Sequence, residues 1–231
     1  MELGKSIDIY YKSQYVYFYK MTTSSLILVF DVETTGLLPK EPAPGNIPYI
    51  IQFSYVLYDK TRDSIVEKYN QYIRIPETVV LKPEITELTK ITREKLENDG
   101  IPIQTALEAF YEAYKKAGIL VAHNLQFDLT MLYMETSIHL PKLYQALQME
   151  KDGEKIYYCT MKEGTDICQL KRPNSRGIYY KHPRLAELHK FLFGTIPEGL
   201  HDSMVDVLTT LRCYLMMKWG KRLDYTSEDL I

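Results

Sequence analysis

The most informative hydrophobic pattern in the chain is LILVFDVETTG, residues 26–36. Leu26, Ile27, Leu28, Val29 and Phe30 run without alternation into Asp31 and Glu33, then into Thr34, Thr35 and Gly36. An apolar run bounded by a turn signal predicts a strand buried on both faces. Strand side chains alternate, so Asp31 and Glu33 should point to one side at its carboxyl end. YIIQFSYVLYD (49–59) and IVEKYNQYIRI (65–75) predict two further strands, joined antiparallel through the polar turn 60–64. The prolines at 39, 42, 44 and 48 rule out a helix or inner strand and predict a loop beside the acidic strand end. A short helix is expected over 84–89, with a second start at Thr92 and a stop at Gly100. Ala106, Leu107, Phe110, Tyr114 and Ala117 fall at helical spacing over 103–117. ILVA (119–122) reads as a fourth buried strand. From it leaves a helix with Leu125, Leu129, Leu132 and Tyr133 at helical spacing and Asp128 in its first turns. Periodicity is poor over 141–183 apart from a strand near 155–159. Helices return over 184–193 and up to Trp219, the last with Asp202 as its N-cap and Val205, Leu208, Leu215 and Trp219 on its core side.

Length and composition narrow the class. A chain of 231 residues suits one domain, or one domain with an appendage, and its 45% hydrophobic and 25% charged content is ordinary for a globular protein. The net charge of -2 makes no strong claim on polyanions, so a nucleic acid would be gripped by a local patch or through metal ions. Cys159, Cys168 and Cys213 form no CxxC pair and read as free thiols. No apolar run reaches the roughly 18 residues of a membrane span, and the N-terminus lacks a signal-peptide core. The expectation is an intracellular protein, cytoplasmic or nuclear, with no membrane contact.

Two segments stand out beside this body. Residues 1–25 crowd Tyr10, Tyr11, Tyr15, Tyr17, Phe18 and Tyr19, either as a β-prone extension packed on the body or as a surface that stacks on bases, unless the domain proper begins at Met21. From Ile167 to Ala186 there is no acid, while Lys171, Arg172, Arg176, Lys181 and Arg184 lie near Tyr179 and Tyr180. This stretch is either a solvated basic loop or a place for phosphate contacts. The domains read as a Tyr-rich extension (1–25), a body (26–220, with the longer basic segment 141–183) and a tail (221–231).

The acids carry the chemistry. Two like charges about 4 Å apart repel by roughly 4 kcal/mol at an effective dielectric of about 20, so Asp31 and Glu33 call for a cation, a proton or a basic partner. Asp128 and Asp206 offer two more acids on separate helices, with His201 beside the last. Residues five apart in a continuous helix diverge by about 140°, so His201 and Asp206 converge only if the helix starts at Asp202. Oxygen ligands without clustered His or Cys select hard cations, Mg²⁺ or Mn²⁺, and four carboxylates carry about the charge of two such ions. Asp202 is accounted for by its capping role. His123, His139, His182 and His189 read as structural or solvated.

DVETTG (31–36), HNLQFD (123–128) and HDSMVD (201–206) resemble, in order, the three exonuclease motifs of the histidine-bearing DEDD (DEDDh, DnaQ-like) 3′-to-5′ exonucleases, over about residues 26–217. The resemblance implies an α/β, ribonuclease H-like fold: a mixed five-stranded sheet with helices on both faces, the first three strands antiparallel and the later two parallel. It implies that Asp31 bridges two Mg²⁺ ions, with Mn²⁺ as substitute. Glu33 and Asp206 would complete the site of the water-activating ion, Asp128 the leaving-group side, and His201 would be the general base. Thr34 and Leu37 would meet the terminal nucleotide, with Asn124 and Phe127 shaping the same pocket. Ser203 stands where the family usually has alanine, a small-for-small change. The implied activity releases nucleoside 5′-monophosphates from the 3′ end of DNA. RNA, or a proofreading or binding role beside a polymerase partner, are the alternatives, and Lys171, Arg172 and Arg176 are further candidates for binding the strand.

Overall fold

A computed structural model describes residues 24–43, 46–150, 155–175 and 177–223. Its elements are β1 (Leu26–Thr34), β2 (Ile50–Asp59), β3 (Ser64–Tyr72), α1 (Pro83–Thr89), α2 (Arg93–Asn98), α3 (Ile103–Lys116), β4 (Ile119–Ala122), α4 (Leu125–His139), α5 (Pro141–Glu150), β5 (Ile156–Cys159), α6 (Thr160–Cys168), β6 (Lys171–Asn174), β7 (Gly177–Tyr180), α7 (Leu185–Phe193) and α8 (Ser203–Trp219). The tyrosines at 10–19, Arg176 and the tail from residue 224 lie outside the described residues. Among the described residues no helix is long and apolar enough to cross a membrane.

The main sheet has the order β3-β2-β1-β4-β5. β1, β2 and β3 are antiparallel neighbours, whereas β4 lies parallel to β1 and β5 parallel to β4. This is the mixed five-stranded sheet expected of a ribonuclease H-like fold. β1 is central, which explains its unbroken apolar run: its two faces feed separate cores. Leu28, Phe30 and Val32 pack with Ala106, Leu107, Phe110 and Tyr114 of α3 and Leu125 and Leu132 of α4. Ile27 and Val29 pack with Val207, Leu208, Leu211 and Tyr214 of α8. The odd-numbered residues of β1 therefore face α8, and Asp31 and Glu33 share that parity.

Boundaries fall close to those expected from the pattern, and the main departure is the segment 141–183. It contains α5, α6 and a separate two-stranded hairpin, β6–β7, rather than irregular chain. α6 escapes detection because Gly164 interrupts it, and a helix-interior glycine weakens the signal. The glycine is required by close packing: a Cβ there would meet Leu188 Cδ1 at 3.0 Å and Pro183 Cγ at 3.1 Å. α5 is faint because Leu147 is its single fully buried residue among those whose side chains are described.

One buried polar network fixes α8 against the sheet. Gln52, fully buried in β2, donates from Nε2 to Asn70 Oδ1 (3.0 Å) and Asp202 Oδ2 (2.9 Å), and its Oε1 accepts from the Ser203 amide (3.2 Å). The Ser54 and Ser203 hydroxyls meet at 2.5 Å, and Ser54 also donates to Asn70 Oδ1 (2.9 Å). Ser203 is thus a partner of Ser54 rather than a passive small residue. Replacing Gln52 by leucine strands the Ser203 amide and one Asp202 oxygen, and is expected to destabilise the protein by about 3 kcal/mol, since each orphaned buried group costs roughly 1–3 kcal/mol. Urea denaturation reads this directly; an unshifted midpoint for Gln52→Leu would show that the network contributes nothing.

Candidate active site

Three elements bring their acids to the carboxyl end of β1. There the β1–β2 register breaks between Glu33 and Thr34, a bulge of the kind that re-aims side chains. The turn beyond is tied down by Thr34 Oγ1 donating to the Gly36 carbonyl (2.6 Å) and by Thr35, whose amide donates to the Tyr49 carbonyl (2.9 Å) and whose hydroxyl accepts from the Tyr49 amide (2.9 Å). Asn124, with φ 73°, turns the chain from β4 into α4. Buried Asp128 is held by the Val32 amide, which donates to Oδ1 (3.3 Å).

α8 starts as the spacing requires. Asp202 caps it, accepting from the amides of Met204 (3.0 Å) and Val205 (3.2 Å). His201 precedes the cap at φ 74°, a left-handed conformation that costs a non-glycine residue about 1 kcal/mol or more. This bend lets the His201 amide donate to Asp206 Oδ2 (3.3 Å). Ligand atoms of Glu33, His201 and Asp206 lie within 4.8 Å of one another.

Among the described residues no lysine or arginine forms an ion pair with Asp31, Glu33, Asp128 or Asp206. Their protonation follows. Burial, with Asp128, Asp206 and Glu33 adding repulsion, holds Asp31 well above the usual carboxylate range. Burial, then Asp206 and Asp128, pushes Glu33 up to about 8. Burial outweighs the Val32 amide and raises Asp128 to about 8, and Asp206 rises to about 7 against the pull of the His201 amide. Burial and the charge of Arg184 lower His201, so its imidazole is neutral near pH 7. Asp206 Oδ1 is buried with no hydrogen-bond partner. An orphaned carboxylate oxygen, an oxygen-rich donor set and unbalanced negative charge fit a divalent cation.

The structure gathers Glu33, Asp206 and His201 most tightly, with Asp31 and Asp128 electrostatically coupled to them. Leu37 stands out at 87% exposed beside this end, Thr34 is buried, Asn124 is exposed and Phe127 is half-buried. Lys171 and Arg172 are outside the acid cluster, on the exposed hairpin. His123 bonds Thr160 Oγ1 (3.0 Å) and the Pro183 carbonyl (3.2 Å), with its pKa lowered to about 4 by burial; it is structural. His189 lies between the Thr195 carbonyl and Arg212, His182 bonds Thr165 and His139 bonds Glu135, so none joins the acids. Gln52 and Ser54 were not singled out beforehand. Their signal was available: they are polar positions inside the buried run of β2, paired in register with Glu33 and Asp31.

A β3-β2-β1-β4-β5 sheet with acids brought to its central strand from that strand and two helices is the ribonuclease H-like arrangement. Within it, residues 28–214 match the exonuclease family RNase_T. The chain belongs to that family, whose DnaQ-like members its three motifs resemble. A PolC-type DNA polymerase III of Streptococcus pyogenes serotype M2 is 38% identical over 119 residues, which are 51% of this chain and 7% of the polymerase. The zinc-bound form of the E. coli exonuclease I–single-stranded DNA complex superposes with TM-score 0.61 at 17% identity, covering 85% of this chain and 41% of that one. A 3′-exonuclease that recognises the histone mRNA stem-loop superposes with TM-score 0.58 at 16% identity, covering 96% and 79%.

The raised carboxyls make a signed prediction. They ionise near pH 4 in the unfolded chain, but in the folded one Asp206, Glu33 and Asp128 keep their protons to about 7–8. The folded state binds more protons, so its stability is full below about pH 4 and falls as the pH rises through about 8. Thermal unfolding in EDTA should show the melting temperature dropping between about pH 5 and pH 8, with saturating Mg²⁺ abolishing most of the drop. A level profile in EDTA would mean that the acids do not share one desolvated cluster.

Proposed function

We propose that this protein removes nucleotides one at a time from the 3′ end of DNA, with Asp31, Glu33, Asp128 and Asp206 holding two divalent ions, Mg²⁺ or Mn²⁺. The observation that carries this reading is the convergence of Glu33, His201 and Asp206 donor atoms within 4.8 Å beside the coupled Asp31 and Asp128. Bound there, the ions would neutralise the acids, acidify a water and stabilise the departing 3′ oxygen.

The chain's own groups supply the rest. His201, neutral near pH 7 and beside Glu33 and Asp206, accepts the proton of the attacking water. Water oxygen adds to the phosphorus of the last nucleotide, the bond to the preceding 3′ oxygen breaks, and that oxygen leaves with a proton as the new 3′-hydroxyl. The product is a nucleoside 5′-monophosphate. Leu37, exposed at the mouth, wedges against the terminal base, while Thr34, Asn124 and Phe127 form the pocket around its sugar and base. DNA is favoured as substrate by the identity shared with part of a DNA polymerase III, and the same relation supports a polymerase as a working partner.

A substrate labelled at its 5′ end should yield a ladder shortening from the 3′ end, with Mg²⁺ or Mn²⁺ and not with EDTA. Asp31→Ala is expected to lower kcat at least about 10³-fold and His201→Gln about 10²–10⁴-fold. Asp31→Ala should at the same time raise the EDTA melting temperature, because one of the repelling acids is gone. Near-full activity of Asp31→Ala would remove the basis for a shared metal site. Digestion of matched DNA and RNA ranks the two polymers.

A further inference from the structure

The β6–β7 hairpin is a built feature that the reaction itself does not use. All eight residues of its two strands are exposed, so it adds nothing to either core. Opposed residues of an antiparallel pair share a face, and the register places Arg172 opposite Tyr179 on one face and Lys171 opposite Tyr180 on the other. Each face thus presents a cation beside an aromatic ring. Among the described residues neither Lys171 nor Arg172 has a carboxylate partner, whereas Lys181 at the hairpin's foot is neutralised by Glu187.

The foot stands on the rim of the acid cluster. The Lys181 amide donates to the Leu170 carbonyl (2.9 Å) and closes the hairpin. Two residues on, the Pro183 carbonyl accepts from His123 Nε2, on the residue before Asn124 at the start of α4. Next comes Arg184, close enough to His201 for its charge to be felt there. A strand of four residues at about 3.3 Å each reaches roughly 13 Å from this foot, far enough to lie beside more than one nucleotide.

We propose that the β6–β7 hairpin grips the single-stranded stretch lying 5′ of the nucleotide being removed, the strand crossing the narrow ribbon so that Tyr179 with Arg172 on one face and Tyr180 with Lys171 on the other meet its bases and phosphates. Single strands are specified because stacking on tyrosine needs bases whose faces are uncovered, and every base has such a face. The net charge of -2 sharpens the point, since attraction for a polyanion has to come from a local patch such as this one. The grip rests on the reading of the acid cluster as a nuclease site, but it makes binding and cleavage depend on substrate length in a way that the cluster does not.

The test compares the full chain with Tyr179→Ala/Tyr180→Ala on DNA and RNA of about 20 nucleotides, on a blunt duplex and on a dinucleotide. Binding is read by fluorescence anisotropy in EDTA and cleavage with Mg²⁺. The variant's Kd for the single strand should rise about tenfold, and kcat/KM on the same strand should fall about as much. On the dinucleotide, kcat/KM should stay within about twofold. In Lys171→Gln/Arg172→Gln the salt slope of single-strand binding should flatten by about 1.4, two charges at about 0.7 each. A loss confined to DNA or to RNA supports the grip and names the polymer. A wild type that binds the long strand but cleaves neither substrate removes the nuclease reading, while a tenfold binding difference still supports the grip. An unchanged Kd, an equal loss on the dinucleotide, or an equal loss on blunt duplex would overturn it.

Discussion

The constraint on which the structure depends is the desolvation of four mutually repelling carboxylates at the end of one central strand. Isolated buried charge is expensive, and among the described residues no basic side chain pairs with these acids. The strand can hold the acids because its other half is locked: Ile27, Leu28, Val29 and Phe30 are fully buried between two separate cores. Core and site are therefore halves of one nine-residue element. With the apolar half fixed on both faces, the acidic half cannot splay to relieve its charge, and relief has to come from protons or from metal ions.

Convergence on β1 is achieved by backbone strain rather than by long side chains. Asn124 and His201 both adopt left-handed conformations, each at the entry to a helix that carries an acid. A strained residue persists where the surroundings over-determine it. For His201 those surroundings are visible: Asp202 is engaged both as cap and as partner of Gln52, and the His201 amide is held by Asp206. The buried network of Gln52, Ser54, Asn70 and Ser203 lies one strand away from the acids and transmits the register of β2 to the start of α8.

How much of this could be read from the chain depends on the kind of signal each part carries. β1, β4, α4 and α8 were legible because an unbroken apolar run or a sustained helical period meets an acid at a defined point, and Asp202 marks a start within one residue. The five acid and histidine positions stood out as candidates through the three motifs that resemble those of the exonuclease family. α5, α6 and the hairpin were not, since their form is decided by neighbours: Gly164 by the approach of Leu188 and Pro183, and the hairpin by a short ladder with no buried face to impose alternation. The Gln52 network was hidden for another reason. Polar residues in a buried strand declare a need for partners but do not say which, and Ser203 is 151 positions away from Gln52 in the chain.

Rigid and exposed parts divide the work of a nuclease between them. The acids and His201 are set by elements packed into the two cores. Leu37 and the hairpin project into solvent and touch neither core, so they can differ in shape or charge without disturbing the acids. Sheet order and acid placement thus fix where the acids meet, and on the proposed reading that is where a phosphodiester is hydrolysed. Choice among strands falls to the exposed segments, which the apolar pattern constrains least. In the proposed grip, a basic hairpin in a chain of net charge -2 places attraction for nucleic acid at one edge of the acid cluster, where it orients the strand toward His201 without drawing polyanions to the rest of the surface.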